Sequence, residues 1–199
     1  MSVVLDRLYH LHWVTQGLAR SAQPYLGCYT AFLRPHGFKS LINLRGENAG
    51  FRWWRDEKRA AMRLGIAHFD VKLSSRNIPS RLGLANLFDA FERAEAPILI
   101  KCSGGQDRTS LAAALYLLRQ GGASALPQAE GQFAFWPYLH RPKDYQRWLK
   151  EFPAYAVAEA HGVSLGTWAR ERYDPQAFAG FLSSKGLYKA FRAFQAETP

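Results

Sequence analysis

Pro97-Ile98-Leu99-Ile100-Lys101-Cys102-Ser103-Gly104-Gly105-Gln106-Asp107-Arg108-Thr109-Ser110 is the stretch whose reading decides this chain. A short apolar run, Ile98 to Ile100, predicts a buried strand that delivers Cys102 into a loop carrying Gly104 and Gly105. Arg108 follows six positions after the cysteine, and Thr109 and Ser110 open an alanine- and leucine-rich helical pattern. Strand, tight loop and helix start form an arrangement that captures phosphate. Backbone N–H groups converge on the anion, the helix dipole favours its charge, and glycines let the loop fold inward without Cβ clashes. A cysteine at the mouth of such a loop is a candidate nucleophile, because the field that binds an oxyanion also favours thiolate over thiol.

The spacing of cysteine, five residues and arginine occurs a second time, from Cys28 to Arg34. That copy encloses Tyr-Thr-Ala-Phe-Leu, with no glycine, no preceding apolar strand and a helical character. Context separates the two, and only Cys102 has the strand–loop–helix setting.

Outward from the loop, hydrophobic runs alternate with helical patterns, as in an α/β sandwich. Leu11 to Ala19 reads as one or two short strands, Pro24 to Arg34 as a helix with Pro24 in its first turn, and Lys39 to Leu44 as a strand. Arg52 to Leu64 predicts a helix stopped by Gly65. Ile66 to Leu73 alternates, with Ala67, Phe69, Val71 and Leu73 on one face and Ile66, His68, Asp70 and Lys72 on the other. Ser80 is placed to cap a helix striped by Leu84, Leu87, Phe88 and Phe91. Thr109 to Gln120 predicts a buried helix stopped by Gly121-Gly122, and from about Ala123 the chain reads as helical and aromatic. Those aromatics (Trp136, Tyr138, Trp148, Trp168 and Phe181 among them) read as core and packing surface rather than as a binding box.

Length and composition fit one folded domain over 1–199, with a core at about 8–150 and a helical extension at about 151–199. At 48% hydrophobic residues and with no long charge block, the chain is not a disordered one. Two cysteines make no disulfide scaffold, and a free nucleophilic thiol belongs in a reducing compartment. No stretch approaches transmembrane length, and charge interrupts Met-Ser-Val-Val-Leu-Asp-Arg too early for a signal peptide, so the expectation is a cytoplasmic protein. A formal net charge of +10 favours anionic partners, among them phosphorylated proteins, phosphoinositides, nucleic acid and acidic membrane. No cluster of His, Cys and carboxylates has metal-ligand spacing, so neither metal nor cofactor is expected.

Lys101 to Ser110 resembles the signature loop of the cysteine-based protein tyrosine phosphatase superfamily, closest to its dual-specificity-like branch. The family pattern is His-Cys-x-x-Gly-x-x-Arg-Ser/Thr. Cys102, Gly105, Arg108 and Thr109 match it, and Lys101 departs from it at the histidine. Gly17 to Pro24 and Gly37 to Arg45 resemble the opening strands of these enzymes, and the resemblance covers about residues 8–120. It implies a central, mostly parallel sheet flanked by helices, here with an additional C-terminal helical layer. It also implies hydrolysis of phosphate monoesters, of phosphotyrosine or of mixed Tyr/Ser/Thr protein phosphates, through a phosphocysteine intermediate. Two alternatives stand beside it: a phosphoinositide phosphatase, or a catalytically weak phosphate-binding pseudophosphatase. The substrate partner is a phosphorylated protein or another anionic ester, with no nucleic acid expected. Gln106 stands where a loop lysine would argue for lipid, which tilts the reading toward protein or aryl phosphates. A sulfur-transfer enzyme also uses a loop cysteine, but the two adjacent glycines and the Arg108-Thr109 pair favour phosphoryl chemistry.

The roles follow residue by residue. Cys102 attacks phosphorus, and the loop from Ser103 through Gly104, Gly105, Gln106 and Asp107 to Arg108 and Thr109 binds the phosphate. Arg108 grips two oxygens through its planar fork, and Thr109 is placed to hydrogen-bond the sulfur. Strand alternation aims Lys101 away from Cys102. Two aspartates compete for general acid. Asp70 has the family's separation from the cysteine but falls within the alternating run, whereas the following loop, 74–79, holds no carboxylate. Asp107 lies in the signature loop itself; Asp-Arg-Thr there resembles a bacterial subset of the superfamily in which a loop aspartate donates the proton. Arg20 and Arg45 read as braces at strand ends, Arg76 as a candidate for the pocket rim, and Cys28 as a candidate for a protective disulfide with Cys102.

Overall fold

The computed structural model describes residues 2–25 and 27–187; the end of the expected helical extension, 188–199, lies outside the described residues. The chain divides into two compact units, one of residues 1–73 and 89–109, the other of residues 74–88 and 110–199.

The first unit holds the sheet. Its elements, in chain order, are α1 (Ser2–Leu8), β1 (His12–Thr15), β2 (Leu18–Ser21), α2 (Tyr29–Leu33), β3 (Ser40–Asn43), α3 (Arg52–Arg63), β4 (Ala67–Asp70) and, after the intervening helix α4 (Arg81–Arg93), β5 (Ile98–Lys101). The strand order is β1-β2-β5-β3-β4. β1 and β2 run antiparallel and every other pair is parallel. The fold is α/β, with a central, mostly parallel sheet and flanking helices. All four residues of β2, of β3 and of β5 are buried; β5 shows it as a nearly continuous apolar run, whereas β2 and β3 end in buried polar residues, Arg20-Ser21 and Asn43.

Register sets the site. Ser21, Lys101, Asn43 and Asp70 are partners in one row at the C-terminal ends of β2, β5, β3 and β4. Ala19, Leu99 and Leu41, two residues earlier, pack with Phe32, Ala60, Ala61 and Ile66 in a core roofed by α2 and α3. Period-two alternation therefore puts Lys101 on the α3 face and sends Cys102 to the opposite one.

Three elements differ from the sequence expectations. The helix expected over Pro24–Arg34 starts only at Tyr29, because Gly27 takes the left-handed conformation (φ +70°) ahead of it. It then tightens into a 3₁₀ turn at Arg34–His36 around Pro35, which cannot extend it. The strand expected over Ile66–Leu73 ends its regular ladder at Asp70, so Asp70 is a strand-end residue rather than one inside the run. Beyond it, Lys72 bridges Arg45 in the antiparallel sense. The helix α5 (Asp107–Gly121) starts two residues ahead of Thr109, placing the Asp107 carboxylate in its first turn, where the helix dipole favours a negative charge. The one or two short strands expected over Leu11–Ala19 are two, β1 and β2. Gly65 (φ +66°) stops α3, Ser80 Oγ accepts from Gly83 N–H at 3.1 Å to cap α4, and Leu84, Leu87, Phe88 and Phe91 are buried.

The second unit contains no strand among its described residues. After α5 come α6 (Leu126–Gly131), α7 (Trp148–Ala160), α8 (Leu165–Thr167), which runs into a π turn at Trp168–Arg172, and α9 (Pro175–Ser184). Phe152 is the hub of its core, with ring centroids 5.0 Å from Phe178, 5.6 Å from Tyr173 and 6.2 Å from Trp168. Of the aromatics expected in the core, Trp148 and Trp168 are buried, Tyr138 and Phe181 are half-buried, and Trp136 is 77% exposed.

Candidate functional site

β5 ends at Lys101, and Cys102 is the first residue of the loop, 3% exposed, its N–H 3.4 Å from the Ser21 carbonyl. The loop's shape is enforced by its carbonyls. Ser103 O accepts from Gln23 N–H at 3.1 Å. Arg20 Nη2 reaches Gly105 O at 3.1 Å and Gln106 O at 3.0 Å. In a trans peptide the next residue's N–H points opposite to the carbonyl. Fixing these three carbonyls therefore turns the N–H groups of Gly104, Gln106 and Asp107 the other way, into a concave nest suited to an oxyanion. Gly105 makes this possible. Its φ is +66°, and a Cβ there would lie 2.6 Å from Ala22 N and 2.8 Å from Ser21 C. Only glycine lets the loop press this closely on the end of β2.

Arg108 is half-buried in the first turn of α5 and donates from Nη2 to Ser103 Oγ at 3.0 Å. Its Nε is buried with no hydrogen-bond partner among the described residues. A buried guanidinium N–H without an acceptor is costly, and an acceptor in the loop's mouth would satisfy it. Thr109 is fully buried; its hydroxyl donates to Gln106 O at 3.1 Å and accepts from Arg20 Nη2 at 3.1 Å. Its one proton is thus committed to the loop carbonyl, so in this structure Thr109 braces the loop rather than serving the sulfur.

Asp70 and Asp107 sit in different surroundings. Asp70 Oδ1 accepts from Asn43 Nδ2 at 2.7 Å and from Trp54 Nε1 at 2.9 Å, and Oδ2 is 3.7 Å from His68 Nδ1. Asp107 is half-buried between Gln106 and Arg108, inside the loop that holds Cys102. Arg20 is the loop's brace, as its strand-end reading expected. Arg45 donates to Tyr25 Oη at 3.1 Å and to Gln23 Oε1 at 3.4 Å, and stacks 3.8 Å above the Trp53 ring. Arg76 lies in the second unit, in a turn headed by Ser74, whose Oγ accepts from Arg76 N–H at 3.1 Å. Both cysteines are free thiols, and Cys28 Sγ lies 3.0 Å from Tyr9 Oη.

Behind the loop, on the α3 face, is a polar cluster that the sequence reading did not assemble. Lys101 is 1% exposed, and its Nζ lies 2.6 Å from Glu57 Oε2 and 2.6 Å from Gln23 Oε1. Glu57 Oε1 is 2.9 Å from His68 Nε2, and Gln23 Nε2 donates both to Glu57 Oε2 at 3.1 Å and to Tyr29 Oη. Burial pushes the Lys101 ammonium down to about 8, outweighing the Glu57 carboxylate, which acts to hold it charged. The same burial, with Glu57 alongside, pushes the Tyr29 phenol up. A signal was present in the sequence: Glu57 falls on the buried stripe of α3 with Trp54, Ala60 and Ala61, and Lys101 ends the most buried strand. A carboxylate and an ammonium both placed at core positions call for each other.

No group of three or more His, Cys, Asp or Glu residues is placed to hold a metal ion among the described residues. Among those residues no helix is long and apolar enough to cross a membrane.

No protein-family model matches the chain, and no curated protein sequence does. Solved structures do. One is a DUF442 protein from Shewanella putrefaciens CN-32 that carries the name of a candidate phosphatase. It is 21% identical, covers 77% of this chain and 98% of its own, and superposes with a TM-score of 0.55. A second is TpbA of P. aeruginosa, 16% identical over 94% of this chain and 93% of its own, TM-score 0.54. A third is Tk-PTP in its active form, 17% identical over 72% of this chain and 95% of its own, TM-score 0.52. The chain shares the tyrosine-phosphatase-like fold with them.

Proposed function

We propose that this protein hydrolyses phosphate monoesters through a phosphocysteine on Cys102. The observation that carries the reading is the loop itself: a buried cysteine, three loop carbonyls pinned outward, and the Arg108 guanidinium with a buried, unpartnered Nε beside it. The shared fold supports it, as does the name of the Shewanella protein.

In the first step the Cys102 thiolate attacks phosphorus, the S–P bond forms, and the P–O ester bond breaks. Asp107 gives its proton to the departing oxygen. The loop N–H groups and Arg108 hold the three non-bridging oxygens as charge redistributes, a preorganised arrangement that costs no rearrangement during reaction. In the second step water attacks phosphorus, the S–P bond breaks, and Asp107 takes the water's proton, so inorganic phosphate leaves and the thiolate is restored. The first turn of α5 stabilises thiolate and bound anion together through its dipole. Asp107 is preferred over Asp70 because it lies in the loop that holds Cys102, whereas Asp70 sits at the end of β4. The substrate class is protein phosphate, phosphotyrosine or mixed, because Gln106 adds no charge to the loop that a polyanionic headgroup would need.

The test is turnover of a fluorogenic aryl phosphate by the purified protein beside Cys102→Ser. Turnover that the variant lacks supports the reading. Equal rates in both, or none in the wild type, overturn it.

A further inference from the structure

We infer that Lys101 and Glu57 are positioning residues for the phosphate loop, acting on it through Gln23. The inference rests on the phosphate-site reading above and extends it to a buried ion pair on the other face of the sheet.

Gln23 is where the two faces meet. Its backbone N–H holds Ser103 O at 3.1 Å, so the start of the loop is only as fixed as residue 23. Its side chain is in turn clamped: Oε1 accepts from Lys101 Nζ at 2.6 Å and Arg45 Nη1 at 3.4 Å, and Nε2 donates to Glu57 and Tyr29. Lys101 and Cys102 are adjacent in sequence yet point to opposite faces, so the ammonium reaches the loop by this route and not by touching the sulfur. A fully buried ion pair gives little net stability against apolar residues of the same volume, because desolvation cancels most of the attraction. Its worth here is geometric: removing either charge strands the other in the core and frees the Gln23 amide to turn.

The titratable and charged groups around Lys101 are Glu57 from α3, His68 and Asp70 from β4, Arg45 after β3, Tyr29 from α2, and Cys102 beside it. Of these, Glu57 acts most strongly to keep the ammonium charged, while burial and Arg45 act against it, which brings its titration to about 8. Below that value the clamp is intact. Above it the ammonium gives up its proton, the cation opposite Glu57 is gone, and the loop loses its anchor.

The experiment measures how well inorganic phosphate protects the Cys102 peptide from iodoacetamide, read by mass spectrometry from pH 6 to 9.5 beside circular dichroism. Expected results are wild-type protection that fades near pH 8 with the fold intact, and affinity about tenfold weaker or worse in Lys101→Met at pH 7. Glu57→Gln, which keeps the shape and removes the charge holding Lys101 protonated, moves the fading to lower pH by about 1–3 units. A purely structural pair would produce no such displacement. If Lys101→Met or Glu57→Gln shows wild-type affinity and the wild-type pH profile, the inference is overturned while the phosphate site stands. If the wild type is unprotected at every pH, the site reading fails and takes the inference with it.

Discussion

Arg20 Nη2 lies 3.1 Å from the Thr109 hydroxyl, joining the second strand of the sheet to the first turn of α5 across 89 residues of chain. The same nitrogen holds Gly105 O and Gln106 O, so one fully buried guanidinium fixes the floor of the loop. Arg20→Ala leaves three acceptors short of their donor in the core. The expected cost is about 3–5 kcal/mol, the range for breaking a buried charged network, measured by urea unfolding. Arg20→Lys, a compact ammonium without the planar fork, keeps part of that stability but loses most of the phosphate affinity. A Lys variant with wild-type phosphate affinity contradicts the brace.

What the sequence made legible here depended on whether a signal was local. Cys102, Gly105 and Arg108 are bound into a ten-residue arrangement whose strand, glycines and helix start each have a local signature, and their placement follows from it. α3 and its Gly65 stop, and the Ser80 cap, are equally local. Lys101–Glu57 is not, because the partners are 44 positions apart (101 − 57) and meet only once β5 and α3 pack. Gln23 as the hub was hidden for the same reason: a glutamine gives no pattern until its four neighbours are in place. Pro24 suits the first turn of a helix and so extends the pattern back to it, but Gly27, one turn later, breaks the backbone with a left-handed φ and the helix begins only at Tyr29.

Gly105→Ala puts a methyl group 2.6 Å from Ala22 N and demands φ +66° of an L-residue. Both contacts are to backbone, which cannot rotate away, so the loop must move off β2. The expected result is destabilisation of about 2–4 kcal/mol, combining left-handed strain with overpacking, and loss of phosphate protection of Cys102. Gly104→Ala is the control, since a Cβ there meets nothing within 4 Å. Equal behaviour of the two variants in thermal unfolding and phosphate protection would contradict the close approach.

His12 sets an acid limit. Burial, with the neighbouring His10 and the positive charge of Arg20, pushes its imidazole down to about 4 from the usual 6.5. Between those two values the unfolded chain binds a proton that the folded chain refuses, so stability falls as pH drops from about 6.5 to about 4 and levels off below. His12→Gln, neutral in both states, removes this component and flattens the slope of unfolding free energy across that window. The check is urea unfolding at several pH values for both proteins; parallel slopes would rule out His12 as a source.

Asp70 and Asp107 make opposite predictions when the leaving group is varied. A general acid matters in proportion to how badly the departing oxygen needs a proton, so its loss weighs heavily on alkyl phosphates and lightly on aryl phosphates with acidic phenols. Asp107→Asn is expected to slow alkyl phosphate turnover by about 10²–10⁴ while costing about tenfold or less on a fluorogenic aryl phosphate. Asp70→Asn keeps an oxygen for Asn43 Nδ2 and Trp54 Nε1, which approach Oδ1 at 2.7 and 2.9 Å, so the sheet end survives and both substrate classes change little. The ratio of alkyl to aryl kcat/KM in each variant decides the assignment. A collapse of that ratio in Asp70→Asn, with Asp107→Asn unaffected, would move the acid to the end of β4 and reduce Asp107 to a partner of the helix dipole.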